Sequence, residues 1–371
     1  MDCKSRFVTK QKESNHKPYE PVLCHFSFVR VCSRLFVVKF FLSIYVLFVI
    51  LFQVSCTQDT SRTEFALGTF CHITLFEQEL DKVYNDVFAR IREIENLMSV
   101  NIPSSDVSRV NAAAGIEPIQ VHEETFAVIK LALHYAKLSG GAFDPTVGPL
   151  VSLWGIGGGR PRVPFQAEID ETLPLVNWQY IELDEETSCV FLTRQDMALD
   201  LGAIAKGYAA DEAAAVIRDA GIDRAIINLG GNIVTCGERK DGKPWRVGVQ
   251  NPNDDRNKYI GVLQVTEKSV VTSGVYERFF EEEGRRYHHI FSPDMGYPAD
   301  NGLLSVTITA PFSVDADALS TAVFVLGYER GSALIESLAE TEAVFIFNDL
   351  CVKKTSGANF TLTDKTFRLE E

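Results

Sequence analysis

Short β-type runs bunch together between amphipathic helices in this chain, and that grouping constrains its fold more than any other feature. Leu80, Val83, Val87, Ile91, Ile94 and Met98 recur at helical spacing, Phe126 to Leu138 reads as a second helix, and Ala203 to Ala220 is alanine-rich enough to be a third. Ala225 to Leu229, Trp245 to Val249, Ile260 to Val265, Arg285 to Phe291 and Leu304 to Thr309 carry the β-branched and aromatic residues of strands. Asp317 to Leu326 predicts a further helix, and Ala343 to Phe347 a further strand. A doubly wound sheet needs strand and helix to alternate, because each parallel pair requires a crossover. Clusters without alternation predict an α+β fold with mixed or antiparallel sheets and packed helices.

With 46% apolar and 23% charged residues among 371, the chain can bury a sizeable core. Residues 1–55 are a different material. They hold eight Lys/Arg against three acids, which leaves 28 bases and 47 acids in the rest, net -19. Such an acidic body does not track phosphate backbones, so nucleic acid is excluded as a partner. After Arg30, Arg34 and Lys39 comes Phe40 to Phe52, an apolar run of 13 residues broken only by Ser43. A basic flank, a short apolar stretch and a small residue before a cleavage point make an export signal, and the run is shorter than a membrane span. Val54-Ser55-Cys56 resembles a bacterial lipobox, in which the cysteine is lipidated, although Gln53 stands where an aliphatic residue is usual. An uncleaved anchor helix is the alternative. Either way residues 57–371 lie outside the cytoplasm on a membrane. The expected organisation is an export segment at 1–55, lipidated Cys56 with a polar tether to residue 63, and one catalytic domain over 64–371. The eight cysteines form no CxxC and no Cys/His cluster at zinc spacing, so those beyond Cys56 read as buried thiols.

Loops between the elements concentrate the chemistry. Gly140-Gly141-Ala142-Phe143-Asp144-Pro145-Thr146 follows a helix, with glycines suited to a C-cap and a proline to stop it. By itself that is a turn, although a Phe-Asp pair can also stack on a ring and accept from an amine. Asp200 to Gly207 opens the alanine-rich helix, where backbone N–H groups and Lys206 can meet an anion. The GxxxxGK[ST] spacing of a Walker A loop is absent. Asn228-Leu229-Gly230-Gly231-Asn232 ends a strand with two small residues, for a ligand's close approach or for a tight turn. Asp317 and Thr321 are four apart and share a helix face; a carboxylate plus a hydroxyl suits magnesium rather than zinc, while an Asp helix cap is the plainer reading. His288 and His289 adjoin on a strand end, so at most one of them faces a given site as an acid/base group.

Taken in order, eight blocks match one family: Gly68-Thr69-Phe70, Asn96 to Ser99 with Ser105 to Asn111, Gly140 to Gly155, Leu199 to Asp211, Asn228 to Asn232, Thr272 to Phe280, His288 to Ala299 and Asp315 to Gly327. The chain resembles the ApbE-type FAD:protein FMN transferases over about residues 64–350. That resemblance implies a T-fold-like catalytic domain and magnesium-dependent transfer of FMN from FAD to a threonine hydroxyl of an exported flavoprotein, such as a redox-pump subunit, with release of AMP. It implies FAD contacts at Leu67, Ala142, Phe143, Asp144, Asp200, Lys206 and Phe291. It implies a magnesium site made of the Ala203 carbonyl and the side chains of Asp317 and Thr321, with Ser320 beside them. His289 would be the acid/base residue and Lys206 would assist. The setting implied is the periplasmic face of the inner membrane, held by a lipid anchor.

Two positions depart from the family pattern. Asn101 stands where the family commonly has a tyrosine that can stack on the flavin. The usual Asp-Pro-x-Thr-Gly after the histidine reads Ser292-Pro293-Asp294-Met295-Gly296. Weak flavin retention at Asn101 keeps two other functions in view: a magnesium-dependent FAD pyrophosphatase giving FMN and AMP, and a non-enzymatic flavin-binding lipoprotein.

Overall fold

A computed structural model describes residues 61–76, 81–254 and 258–370. Cys56, the apolar run and Leu80 lie outside the described residues. Residues 59–371 form one compact unit. Among the described residues no helix is long and apolar enough to cross a membrane.

The chain begins with a hairpin, β1 (Ser61–Ala66) and β2 (Thr69–Leu75), then α1 (Asp81–Met98), α2 (Asp106–Ala112), β3 (Ile119–Gln120) and α3 (Glu123–Leu138). Next come α4 (Gly148–Trp154), α5 (Gln166–Thr172), β4 (Ile181–Asp184), β5 (Cys189–Leu192) and α6 (Ala205–Asp219). A strand-rich stretch follows with β6 (Ala225–Leu229), β7 (Asn232–Cys236), β8 (Trp245–Gln250), β9 (Tyr259–Val265), β10 (Ser269–Gly274), β11 (Phe279–Glu282), β12 (Arg285–His288) and β13 (Leu303–Ala310). The last elements are α7 (Ser313–Glu336), β14 (Glu342–Phe347), β15 (Cys351–Lys354), β16 (Phe360–Leu362) and β17 (Arg368–Leu369).

Nine strands make the central sheet, in the order β1-β2-β6-β7-β10-β13-β14-β15-β17. Its pairs are antiparallel except β15 with β17, which is parallel, so the expected mixed α+β architecture is the one observed. Period-two alternation divides this sheet between two cores. On β14, Ala343 and Phe345 join the larger core, formed with α1, α6 and α7. Val344 and Ile346 point the other way, against Val249, Ile260 and Leu263 of the three-stranded sheet β16-β9-β8. A third cluster holds Leu150, Trp154, Ile169 and Phe291.

Three boundaries differ from the sequence reading. Ser61 to Thr63, taken as tether, are the first half of β1: they pair with Thr74, Ile73 and His72, and the Thr63 hydroxyl meets His72 Nδ1 at 2.7 Å. Polar composition hid a strand whose outward residues face water. The run Arg285 to Phe291 is a strand only to His288, because Phe291 turns back to bridge Pro298. The helix expected at Asp317 begins four residues earlier and breaks at Gly327, whose φ of 75° no helical residue adopts. Cys71, Cys236 and Cys351 are buried free thiols and Cys189 is half-buried.

Candidate functional site

The N-termini of α6 and α7 meet head to head, and each helix caps the other. Asp211 on α6 accepts the N–H groups of Ser313 and Val314 at 2.8 Å each, the first two donors of α7. Asp317 on α7 accepts the N–H of Gly207 at 2.9 Å, in the first turn of α6. Such donors have no partner within their own helix, and a carboxylate beside them also meets the positive end of the helix dipole. The plainer reading of Asp317 as the cap of its own helix is therefore excluded. It sits in the second turn of α7 and caps a neighbour. Gly207 makes the approach possible, since a Cβ there would stand 2.3 Å from the Ser313 carbonyl oxygen.

Ala203 precedes α6, and with the Gly207 N–H taken by Asp317 no hydrogen bond from the described residues reaches the Ala203 carbonyl. Lys206 fills the space between. Its ammonium donates to the Gly202 carbonyl at 2.9 Å and lies 3.3 and 3.4 Å from the two Asp317 oxygens. Behind Asp317 stands a row of hydroxyls: Ser273 to Ser320 at 2.8 Å, Ser273 to Thr321 at 3.4 Å, and Ser320 donating to the Asp317 carbonyl at 2.9 Å. Ser273 escaped the sequence reading, although it lies in the Thr272 to Phe280 block. Among the described residues no cluster of three His, Cys, Asp or Glu could hold a metal. What this corner offers is one carboxylate, hydroxyls and an orphan carbonyl, with the Lys206 ammonium already against the carboxylate. That donor set suits a hard cation that keeps several of its own waters or phosphate oxygens.

The turn before α6 is fixed from two sides. Asn111 clamps Leu199 with bonds of 3.0 and 2.7 Å, and the Asp200 N–H donates to the Pro145 carbonyl at 2.8 Å. The latter joins the Asp200 turn to the Gly140 to Thr146 loop, so these two sequence-predicted segments are neighbours. Asp200 Oδ1 accepts the Gly202 N–H at 2.7 Å. The side chains of the second segment do not form an open face, however. Phe143 is 3% exposed, edge-on to Tyr135. Asp144 accepts from the Thr146 N–H and hydroxyl and from the Trp178 N–H. Burial raises its pKa. Phe291 likewise packs on Trp154 in the third cluster.

The two histidines are told apart by their bonds. His288 is buried, with Nε2 donating to the Ala299 carbonyl at 3.0 Å and Nδ1 accepting from the Ile290 N–H at 3.3 Å, so both nitrogens are occupied. His289 Nδ1 lies 3.2 Å from the Arg278 carbonyl, which can only accept, so Nδ1 carries the proton and Nε2 keeps its lone pair. Among the described residues Nε2 has no hydrogen-bond partner. Burial, then the charges of Arg278, His288 and Lys206, hold its pKa below the ordinary value. The imidazole is therefore neutral near pH 7, with the Nε2 lone pair open to a hydrogen-bond donor. Arg278, another residue the sequence reading passed over, also borders the β1–β2 turn, where a Cβ on Gly68 would come within 3.8 Å of its guanidinium. In that turn Leu67 and Gly68 both have positive φ, 53° and 67°. A leucine there is uncommon and mildly strained.

Two expectations are not gathered into this corner. Asn101 is exposed in the turn between α1 and α2, its N–H donating to the Ser99 hydroxyl at 3.2 Å. No hydrogen bond among the described residues ties it to Lys206 or His289. At Gly230 the close approach is to Thr69, whose hydroxyl would lie 2.3 Å from an added Cβ, and the Asn228 side chain accepts the Gly231 N–H. That segment is a tight turn.

Comparison with known proteins places the chain among relatives. A model of the ApbE family matches residues 67–345. A Treponema pallidum (strain Nichols) protein named FAD:protein FMN transferase is 38% identical over 317 residues, covering 81% of this chain and 88% of that protein. A Klebsiella pneumoniae (strain 342) protein of the same name is 40% identical over 285 residues, covering 76% and 88%. Among solved structures, the ApbE protein of Thermotoga maritima aligns with a TM-score of 0.72 at 32% identity, covering 82% of this chain and 97% of that one. The flavin transferase ApbE from Vibrio cholerae aligns at 0.71 and 28%, covering 83% and 97%. A family model spanning most of the compact unit, relatives at this identity and a shared fold show that the chain belongs to the ApbE family.

Proposed function

We propose that the protein is an enzyme that transfers the FMN half of FAD to a threonine hydroxyl of an exported flavoprotein and releases AMP. The observation that carries this reading is the meeting of Lys206, Asp317 and the α6 N-terminus near a neutral His289 with an unclaimed Nε2. The acceptor oxygen forms a bond to the FMN phosphorus while the bond from that phosphorus to the bridging oxygen breaks. The hydroxyl proton passes to His289 Nε2, and the electron pair leaves with AMP. Lys206 and the positive end of the α6 dipole counter the charge that develops on the leaving phosphate. Asp317, Thr321, Ser320 and the Ala203 carbonyl would hold magnesium, which when bound neutralises pyrophosphate charge. Leu67, Asn101, Ala142 and Asp200, with the backbone of Phe143, Asp144 and Phe291, would line the flavin.

The same reading has the chain lipidated at Cys56 on the periplasmic face of the inner membrane, facing an acceptor such as a redox-pump subunit. The apolar run and Val54-Ser55-Cys56 support it. Fatty-acid labelling in a bacterial host checks the anchor: Cys56→Ala takes no label, and persistent label would put the lipid elsewhere. For the activity, the purified protein is mixed with FAD, magnesium and a candidate acceptor. AMP together with a flavin-labelled acceptor band is expected. AMP without label means hydrolysis, and neither product rejects the assignment.

A further inference from the structure

Lys206 stands in an unusual place for a residue expected to grip an anion. Its side chain curls back one turn along α6, and the ammonium rests between an acceptor carbonyl and the two Asp317 oxygens. The two side chains are 23% and 5% exposed, so the pair is largely withdrawn from water. Beside it stand oxygens that the ammonium does not use. The Ala203 carbonyl is left without a donor, and the hydroxyls of Ser320 and Thr321 are lined up by Ser273. One carboxylate cannot neutralise an ammonium and a divalent cation at the same time, and the two would repel each other at contact distance.

We propose that Lys206 has two seats: without metal its ammonium occupies the cation position against Asp317, and a divalent cation expels it toward the substrate's phosphates. This rests on the reading of Asp317 and Thr321 as a magnesium site. The lysine then acts as a latch. It keeps the Asp317 carboxylate paired while the site is empty, and it becomes available to bind an anion only once the cation has arrived. Metal and phosphate binding are thereby ordered by one side chain.

The test uses the full chain and magnesium chloride alone, with no flavin. Calorimetric titration compares wild type with Lys206→Met. Removing the competitor tightens magnesium binding by about tenfold, the worth of a partly buried ion pair, although the same variant turns FAD over more slowly. A second arm needs no variant: the rate at which an amine-acylating reagent labels Lys206, read by mass spectrometry against the other lysines, rises when magnesium is added. An unchanged or weaker magnesium Kd in the variant overturns the proposal, as does a Lys206 labelling rate that magnesium leaves unchanged or slows. If neither protein takes up magnesium, the metal assignment itself fails and the exchange falls with it.

Discussion

Changing Gly207 to alanine reverses the usual sign of such a substitution. Inside a helix, Gly→Ala normally stabilises by about 1 kcal/mol through the lower entropy of the unfolded chain. Here the new Cβ would stand 2.3 Å from the Ser313 carbonyl oxygen and 2.7 Å from Val314 Cα, both backbone atoms that no rotamer change can move. Relief requires α6 and α7 to separate by about 1 Å, an overpacking penalty of roughly 1–3 kcal/mol. Separation also stretches the Asp317 bond to Gly207 and the Asp211 bonds to Ser313 and Val314. Weakening three charge-assisted bonds adds about 2 kcal/mol. Net destabilisation after the helix-propensity gain is about 2–4 kcal/mol. Urea unfolding followed by circular dichroism measures it, with the m-value expected to stay constant. A midpoint equal to or above that of wild type would refute the reciprocal capping as drawn.

Asp317→Ala abolishes AMP release without unfolding the protein, whereas Thr321→Ala, which removes a neutral ligand that water can replace, loses only part of it; activity across a magnesium titration distinguishes the two. Asn101→Tyr tightens FAD binding about fivefold, near 1 kcal/mol of ring stacking, and slows product loss; equal calorimetric constants without magnesium would remove residue 101 from the flavin site. Burial pushes the Asp211 carboxyl up from 3.8 to about 6, so the folded protein holds a proton there that the unfolded chain has lost. That group's contribution to stability therefore falls by about 2 kcal/mol as pH rises from 4 to 6. Unfolding free energies of wild type and Asp211→Asn across that range should differ by an amount that declines by about 2 kcal/mol from pH 4 to 6, and a constant difference would refute the shift.

Much of the fold could be read in the chain because it rests on local signals. The helical spacing of Val87, Ile91 and Ile94 and the β-branched runs of β6, β9 and β13 sit in the structure where the sequence places them. The β1–β2 hairpin was harder, because its outward residues are polar or exposed aromatics and its turn carries a leucine where glycine or asparagine is usual. The site was legible as a set of blocks, not as an arrangement. No spacing rule states that Asp317 caps a helix 110 residues upstream, or that Asp211 returns the contact. Nor could composition decide between His288 and His289, whose difference lies in which carbonyl each ring nitrogen meets. Nor does the sequence show that Phe143 and Phe291 are buried, each packed against another aromatic ring.

The head-to-head helices bear on when activity can appear. Lys206 and Asp317 are separated in the chain by strands β6 to β13, and four of those eight, β6, β7, β10 and β13, belong to the central sheet on which α6 and α7 pack. Contacts so distant in sequence form late, after the intervening loops have closed. A nascent or clipped chain that lacks α7 therefore has no weakened version of the centre. It has Lys206 on an uncapped helix and nothing across from it. The chain stays inert toward flavin until Ser313–Glu336 has docked, and turnover becomes a report on complete folding.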